Sequence, residues 1–321
     1  MTNPAVDGPT LSVILATDNY ERARTVVDRL SRQTIANKIE LVLVTTSPDD
    51  LKANTAAIDT FHSIVVVPVD TVVPLAYARA AGVRAATAPY VFIAETHAYP
   101  DPDLAEKLVG LLSEGWSVVV PGIRNANPHN GISWAGFLSD YGAWSRALPA
   151  GEIQRVPAHN TAFHREVLMD FGDDLEPAFG FGDELFRGLK SRGHRIWFEP
   201  NPGVEHVNID GFNNWRKERY LSGTLIGGAR SKKWPWSRRL VYILASPLIP
   251  FVILSRVRKG VSEVAQHETL PAGTIPAIIA GAFLKIAGEV TAYALGPNKE
   301  RETRMTAYEI KKLAFNSGEE T

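Results

Sequence analysis

Over the first 120 residues, short β-branched apolar runs alternate with stretches whose apolar residues recur at helical spacing. The runs at 11–15 (LSVIL), 40–44, 63–67, 90–94 and 116–120 read as strands. Between them, 20–33 places Ala23, Val26, Val27 and Leu30 on one helical face, 74–88 is Ala-rich, and 101–113 opens with acidic residues that suit a helix N-terminus. This alternation predicts an α/β fold with a doubly wound, mainly parallel sheet. Ligands of such sheets sit beyond the carboxyl ends of the strands, which singles out Thr17, Asp18 and Asn19, then Thr45 and Thr46, then Glu95 to His97.

No G-x-G-x-x-G follows the first strand, and no G-x-x-x-x-G-K-[ST], His-Glu-x-x-His or G-x-S-x-G occurs. These absences weaken dinucleotide-binding, P-loop, metalloprotease and α/β-hydrolase readings. The chain has no cysteine, so any metal must be held by carboxylate, imidazole or water. Residues 1–9 are polar and lack the basic and apolar regions of a secretory signal, which predicts a cytoplasmic start.

Several segments, in order over about residues 11–208, resemble the family 2 glycosyltransferases with the GT-A fold. SVILATDNYE is similar to the family's opening strand and turn. ELVLVTTSPDD is similar to its E-I-I-V-V-D-D-G-S, and YARAAGVRAATAPYVFIAETHAYPDPD to its A-R-N-x-G, following strand and Asp-x-Asp region. HNTAFHREVL resembles its acceptor-side segment, and GFGDELFRGLKSRGHRIWFEPNPGVEHVN its E-D-x-x-L helix, strand and closing histidine. The sequence departs from the pattern at Thr45 and Thr46, where the family has an acidic pair, at Ala80 for the Asn, and at Glu95-Thr96-His97 for Asp-x-Asp.

The resemblance implies a nucleotide-sugar donor bound by Thr17, Asp18, Asn19, Thr45, Thr46, Arg79 and Glu95, with His159 and Asn160 lining an acceptor pocket. A departing nucleoside diphosphate needs positive charge, usually a divalent cation on hard ligands, so Glu95, His97 and His206 are the candidate metal residues, for Mn2+ or Mg2+. An inverting displacement needs one carboxylate base; Asp183 and Glu184 follow Gly180 and Gly182, and Asp183 is preferred. The plainer readings are a polar strand end for Glu95 and His97, and a helix start favoured by the macrodipole for Asp183 and Glu184. Trp134, Tyr141 and Trp144 stand at helical spacing, which suits core packing better than sugar stacking.

The net charge of −1 conceals a segregation. Residues 1–215 hold 17 basic against 26 acidic side chains, whereas 216–259 hold 11 against Glu218 alone. Within that belt, 240–255 is 16 uncharged residues interrupted by Pro247 and Pro250, which reads as too short and too broken for a span of about 20 residues. Residues 274–295 are long enough but contain Lys285 and Glu289. Trp234, Trp236, Arg238 and Arg239 precede the first apolar run, and Arg256, Arg258 and Lys259 follow it, as an interfacial membrane segment requires. The interleaving with apolar residues suits lipid rather than nucleic acid.

The chain is therefore expected to hold a GT-A catalytic domain over 1–215 and a membrane-associating helical region over 216–321, with membrane contact through 234–296. It is expected to transfer sugar to a lipid-linked or polysaccharide acceptor of the cell envelope at the cytoplasmic face of the membrane. The alternative is a non-catalytic GT-A binding protein with a degenerate metal motif.

Overall fold

The computed structural model describes residues 8–180 and 184–317. Strands β1 (Leu11–Thr17) and β2 (Ile39–Thr45) are buried almost throughout, as strands covered on both faces must be. Between them, α1 (Tyr20–Ser31) begins at Asn19, whose side chain accepts the Arg22 backbone N–H, and it buries Ala23, Val26, Val27 and Leu30 as one stripe. The alternation continues through α2 (Pro48–Thr55), β3 (Ser63–Pro68), α3 (Leu75–Ala85) and β4 (Tyr90–Ala94). Next come β5 (Ala98–Pro100), α4 (Leu104–Ser113), β6 (Val118–Asn125) and α5 (Gly131–Asp140). They are followed by β7 (Gly151–Ile153), β8 (Thr161–His164), α6 (Arg165–Met169), α7 (Leu175–Ala178), α8 (Glu184–Ser191) and β9 (Ile196–His206). The rest is helical: α9 (Phe212–Ser231), α10 (Trp236–Ala245), α11 (Ile249–His267), α12 (Thr274–Leu295), α13 (Lys299–Ile310) and α14 (Lys312–Ser317).

The sheet runs β3-β2-β1-β4-β8-β6-β9-β5, with β7 paired to β9. Strands β3, β2, β1 and β4 are mutually parallel, while β8 lies antiparallel between β4 and β6. The expected α/β architecture and mostly parallel sheet are present. Strand β8, four residues long, is an antiparallel insertion, and β7 pairs antiparallel with β9. Gly82 on α3 is tight against β1, since a Cβ there would lie 2.3 Å from Ile14 Cγ2. At the opposite end of β2, the buried Glu40 accepts from Ser12 Oγ (2.5 Å), Thr87 N (2.8 Å) and Thr87 Oγ1 (2.6 Å), tying the α3–β4 turn to the two central strands.

The chain packs as two units. The first comprises 8–121, 151–180 and 184–204; residues 122–150 join 205–317 in the second. Strands β6 and β9 begin in the first unit and end in the second.

In the second unit, α9 and α12 cross with their backbones in contact. A Cβ on Gly223 would lie 1.9 Å from the Lys285 carbonyl oxygen, and one on Gly288 2.1 Å from that of Tyr220. Small residues on both helices permit this approach. Lys285 and Glu289, one helical turn apart, turn to separate partners: Lys285 to Asp140 (3.9 Å) and the buried Glu289 to Arg230 (2.9 Å) and the Tyr293 hydroxyl (2.7 Å). Burial, followed by the Glu289 carboxylate, pushes the Tyr293 phenol up to about 12.

The prolines do not break the apolar run of 240–255. Pro247 and Pro250 occupy the first turns of a 3-10 turn at Ser246–Leu248 and of α11, positions that need no backbone donor, so 236–267 is helical nearly end to end. By length and composition alone, this stretch and α12 are both apolar enough to cross a membrane. Their surroundings differ. Val241, Leu244, Leu248 and Phe251 are each more than 60% exposed, whereas α12 buries Ala277, Ile278, Gly281, Ala282 and Ile286 and exposes only a stripe that includes Ile275, Ile279 and Phe283.

Candidate active site

The carboxyl ends of β1, β2 and β4 form one edge of the sheet, because Thr17 is in register with Thr45 and Leu15 with Ala94. Glu95 is the first residue past β4. It is buried, and the first unit converges on its carboxylate from three segments. Arg79 of α3 donates from Nη2 to Oε1 at 3.4 Å, Asn160 donates from Nδ2 to Oε2 at 2.8 Å, and His159 Nδ1 lies 3.0 Å from Oε2. The buried His97 places Nε2 3.9 Å from the same oxygen. Five residues singled out from sequence, spread over 82 positions, thus meet around one carboxylate. His159 and Asn160, expected to line the acceptor pocket, stand against the candidate donor and metal residue Glu95.

The residues after β1 are engaged locally. The Thr17 hydroxyl donates to the Asn19 carbonyl, Asp18 pairs with Arg22, and Asn19 caps α1. Thr45 is buried, with its hydroxyl accepting from Ser47 N, while Thr46 is exposed. These side chains lie at the expected sheet edge.

His206 belongs to the second unit, where it is fully buried beneath Tyr141, the ring centroids 4.1 Å apart, with Nδ1 3.2 Å from Asn208 Oδ1. Asn208 in turn donates to Asn125 Oδ1 (2.9 Å), which also receives the Ser133 hydroxyl. Trp134 and Tyr141 are core residues here, as their spacing predicts. Of the candidate bases, Asp183 lies outside the described residues, and Glu184 is the exposed first residue of α8.

Sequence inspection missed a second cluster, in the second unit. Arg219, counted above with the basic belt, is buried and donates to Asp140 and to Glu218 (2.5 and 2.7 Å). Burial would raise the Asp140 carboxyl, but Arg219 and Lys285 hold it well below the usual range. Burial raises Glu218 and outweighs Arg219, and the two carboxylates push the Arg219 guanidinium up against the effect of burial.

Glu95 and its donors fit a divalent cation by their chemistry. A buried carboxylate and an imidazole are hard and borderline ligands of the kind such ions take, and Glu95 and His97 bring both kinds to one place.

Residues 12–172, half of the chain, match Glycosyl transferase family 2, and the chain belongs to that family. It is a glycosyltransferase of the class that draws on nucleotide-sugar donors. Among solved structures it is similar to S. aureus TarS 1-349 in complex with UDP, at 14% identity over 89% of this chain and 91% of that one, TM-score 0.47. It is also similar to the mannosyltransferase PcManGT from Pyrobaculum calidifontis in complex with GDP-Man and Mn2+, at 18% identity over 100% of this chain and 90% of that one, TM-score 0.48. No curated protein matches the chain in sequence.

Proposed function

We propose that this glycosyltransferase moves a sugar from a nucleotide-sugar donor to a hydroxyl of a lipid-linked or polysaccharide acceptor, with inversion, at the cytoplasmic face of the cell membrane. The observation that carries the donor side is the convergence of Arg79, His97, His159 and Asn160 on the buried Glu95 at the carboxyl edge of the sheet. Glu95 and His97 are the proposed holders of a divalent cation, Mn2+ or Mg2+, which when bound supplies positive charge against the departing diphosphate. Asn160 and His159 fix the carboxylate so that little reorganisation is needed when the donor arrives. Asp183, or Glu184 beside it, takes the proton of the acceptor hydroxyl.

Membrane contact rests on α10 and α11. Their exposed Val241, Leu244, Leu248 and Phe251 are flanked by exposed Arg238, Arg256, Arg258 and Lys259, which suits an anionic bilayer surface. An interfacial position fits better than a span, because α12, the other apolar helix, buries its Glu289 against α9.

Calorimetric titration with a panel of nucleotide sugars, with and without Mn2+, tests the donor reading: one binder strengthened by the ion is expected, and no binder at all would sink it. Asp183→Asn set against Glu184→Gln separates the two carboxylates by turnover. Co-sedimentation with anionic vesicles should fall, but not vanish, as salt rises. A protein left in the supernatant at low salt refutes membrane association.

A further inference from the structure

Asn160 combines two unfavourable features at one position. Its φ of 50° is the only left-handed value at a non-glycine residue among the described residues, and its Oδ1 is buried with no hydrogen-bond partner among them. A buried carbonyl oxygen without a donor is unfavourable, and a left-handed backbone adds to that cost even at asparagine, which adopts it more readily than most residues. Such costs persist where the surroundings impose them, often at ligand sites. Here the backbone N–H donates to the Ile93 carbonyl at 2.6 Å and Nδ2 to Glu95 at 2.8 Å, so the residue is clamped from both ends to β4 and the residue that follows it. The amide orientation is fixed by chemistry, because turning it over would set Oδ1 against the Glu95 carboxylate. The orphan oxygen therefore lies one amide width from the atom that touches Glu95.

An acceptor in that place needs a proton donor or a cation. An amide oxygen is a hard ligand of the type that divalent ions take beside carboxylates. Resting on the metal reading above, we propose that Asn160 Oδ1 is itself a ligand of the divalent cation bound at Glu95, so that one carboxamide holds the carboxylate with its nitrogen and the ion with its oxygen.

The test is a titration of the full chain with MnCl2 alone, following the electron paramagnetic resonance of the free ion. Asn160→Gly tolerates the backbone and removes both functions; Asn160→Asp keeps an oxygen but loses the N–H donor. The glycine variant should bind Mn2+ about 10-fold more weakly or worse, while the aspartate variant stays near wild type or binds more tightly. Wild type loaded with Mn2+ and carrying 15N-asparagine should also show a nitrogen modulation in its electron spin echo, which requires no variant to fold. If Asn160→Asp binds as poorly as Asn160→Gly, the residue acts only by positioning Glu95, and the proposal is wrong. A glycine variant that binds Mn2+ normally but loses nucleotide-sugar affinity places the oxygen on the donor and overturns it equally, as does the absence of the nitrogen modulation. Wild type that binds nucleotide sugar but no Mn2+ overturns the metal reading itself.

Discussion

Each unit of this glycosyltransferase buries a charged cluster, and the two are completed differently. Around Arg219, two carboxylates answer one guanidinium, Lys285 stands beside Asp140, and the group is closed by charges of both signs. Around Glu95 stand Arg79, an amide and two imidazoles, and that amide leaves an oxygen without a partner among the described residues. A closed network holds a fold together, whereas one with unused ligand capacity is prepared for something that arrives later. Burial alone does not distinguish them, since Arg219 and Glu95 are both 5% exposed.

If that distinction is sound, breaking the closed cluster should damage stability and breaking the open one should damage chemistry. Arg219→Met strands Asp140 and Glu218 and should cost about 3–5 kcal/mol, read from the urea midpoint of the second unit's unfolding. Glu95→Gln keeps the size of the side chain and should lower turnover by about 100-fold, near 2.7 kcal/mol, with little change in that midpoint. A Glu95→Gln enzyme of normal turnover would erase the difference between the clusters.

Gly223→Ala sharpens the comparison by loading the second unit without touching a charge. The added carbon meets the Lys285 backbone, so about 1–3 kcal/mol should be lost while donor affinity is unchanged. The smallest effect is in pH. Glu218 has a folded value above its unfolded one of about 4, so it lowers stability as pH rises through that folded value; mild acidification from neutrality should stabilise the protein slightly. Asp140 is depressed, so its contribution is present above about pH 4 and lost below it. Urea midpoints between pH 7 and 3 should rise and then fall, and Glu218→Gln should flatten the rise.

Much of the first unit was legible because its signals are local. The run at 90–94 coincides with β4, and those at 40–44 and 63–67 fall one or two residues short of β2 and β3. Thr17 and Thr45 end their strands with a polar side chain, which blurs the boundary. The antiparallel seat of β8 was not legible, since TAFH has the same composition in either direction. Nor was the meeting of Asn160 with Glu95, 65 positions earlier, because a hydrogen bond across a sheet leaves no periodic trace. Arg219 misled for a related reason: in a basic stretch a lone buried guanidinium looks like its neighbours, and its partner Asp140 lies 79 residues upstream. The Pro-interrupted run misled in the other direction, as proline at a first helical turn is compatible with the helix it seemed to end.

The bare backbone crossing of α9 and α12 also sets an order of events. The two helices are separated in the chain by residues 232–273, which hold α10 and α11. Synthesis at about 5–20 residues per second keeps the glycine groove of α9 open for several seconds before α12 can fill it. Leu244 and Phe251 emerge during that interval. The exposed apolar face of α10 and α11 is therefore made before the groove of α9 can be filled, so the order of synthesis presents that face ahead of the closed helical unit.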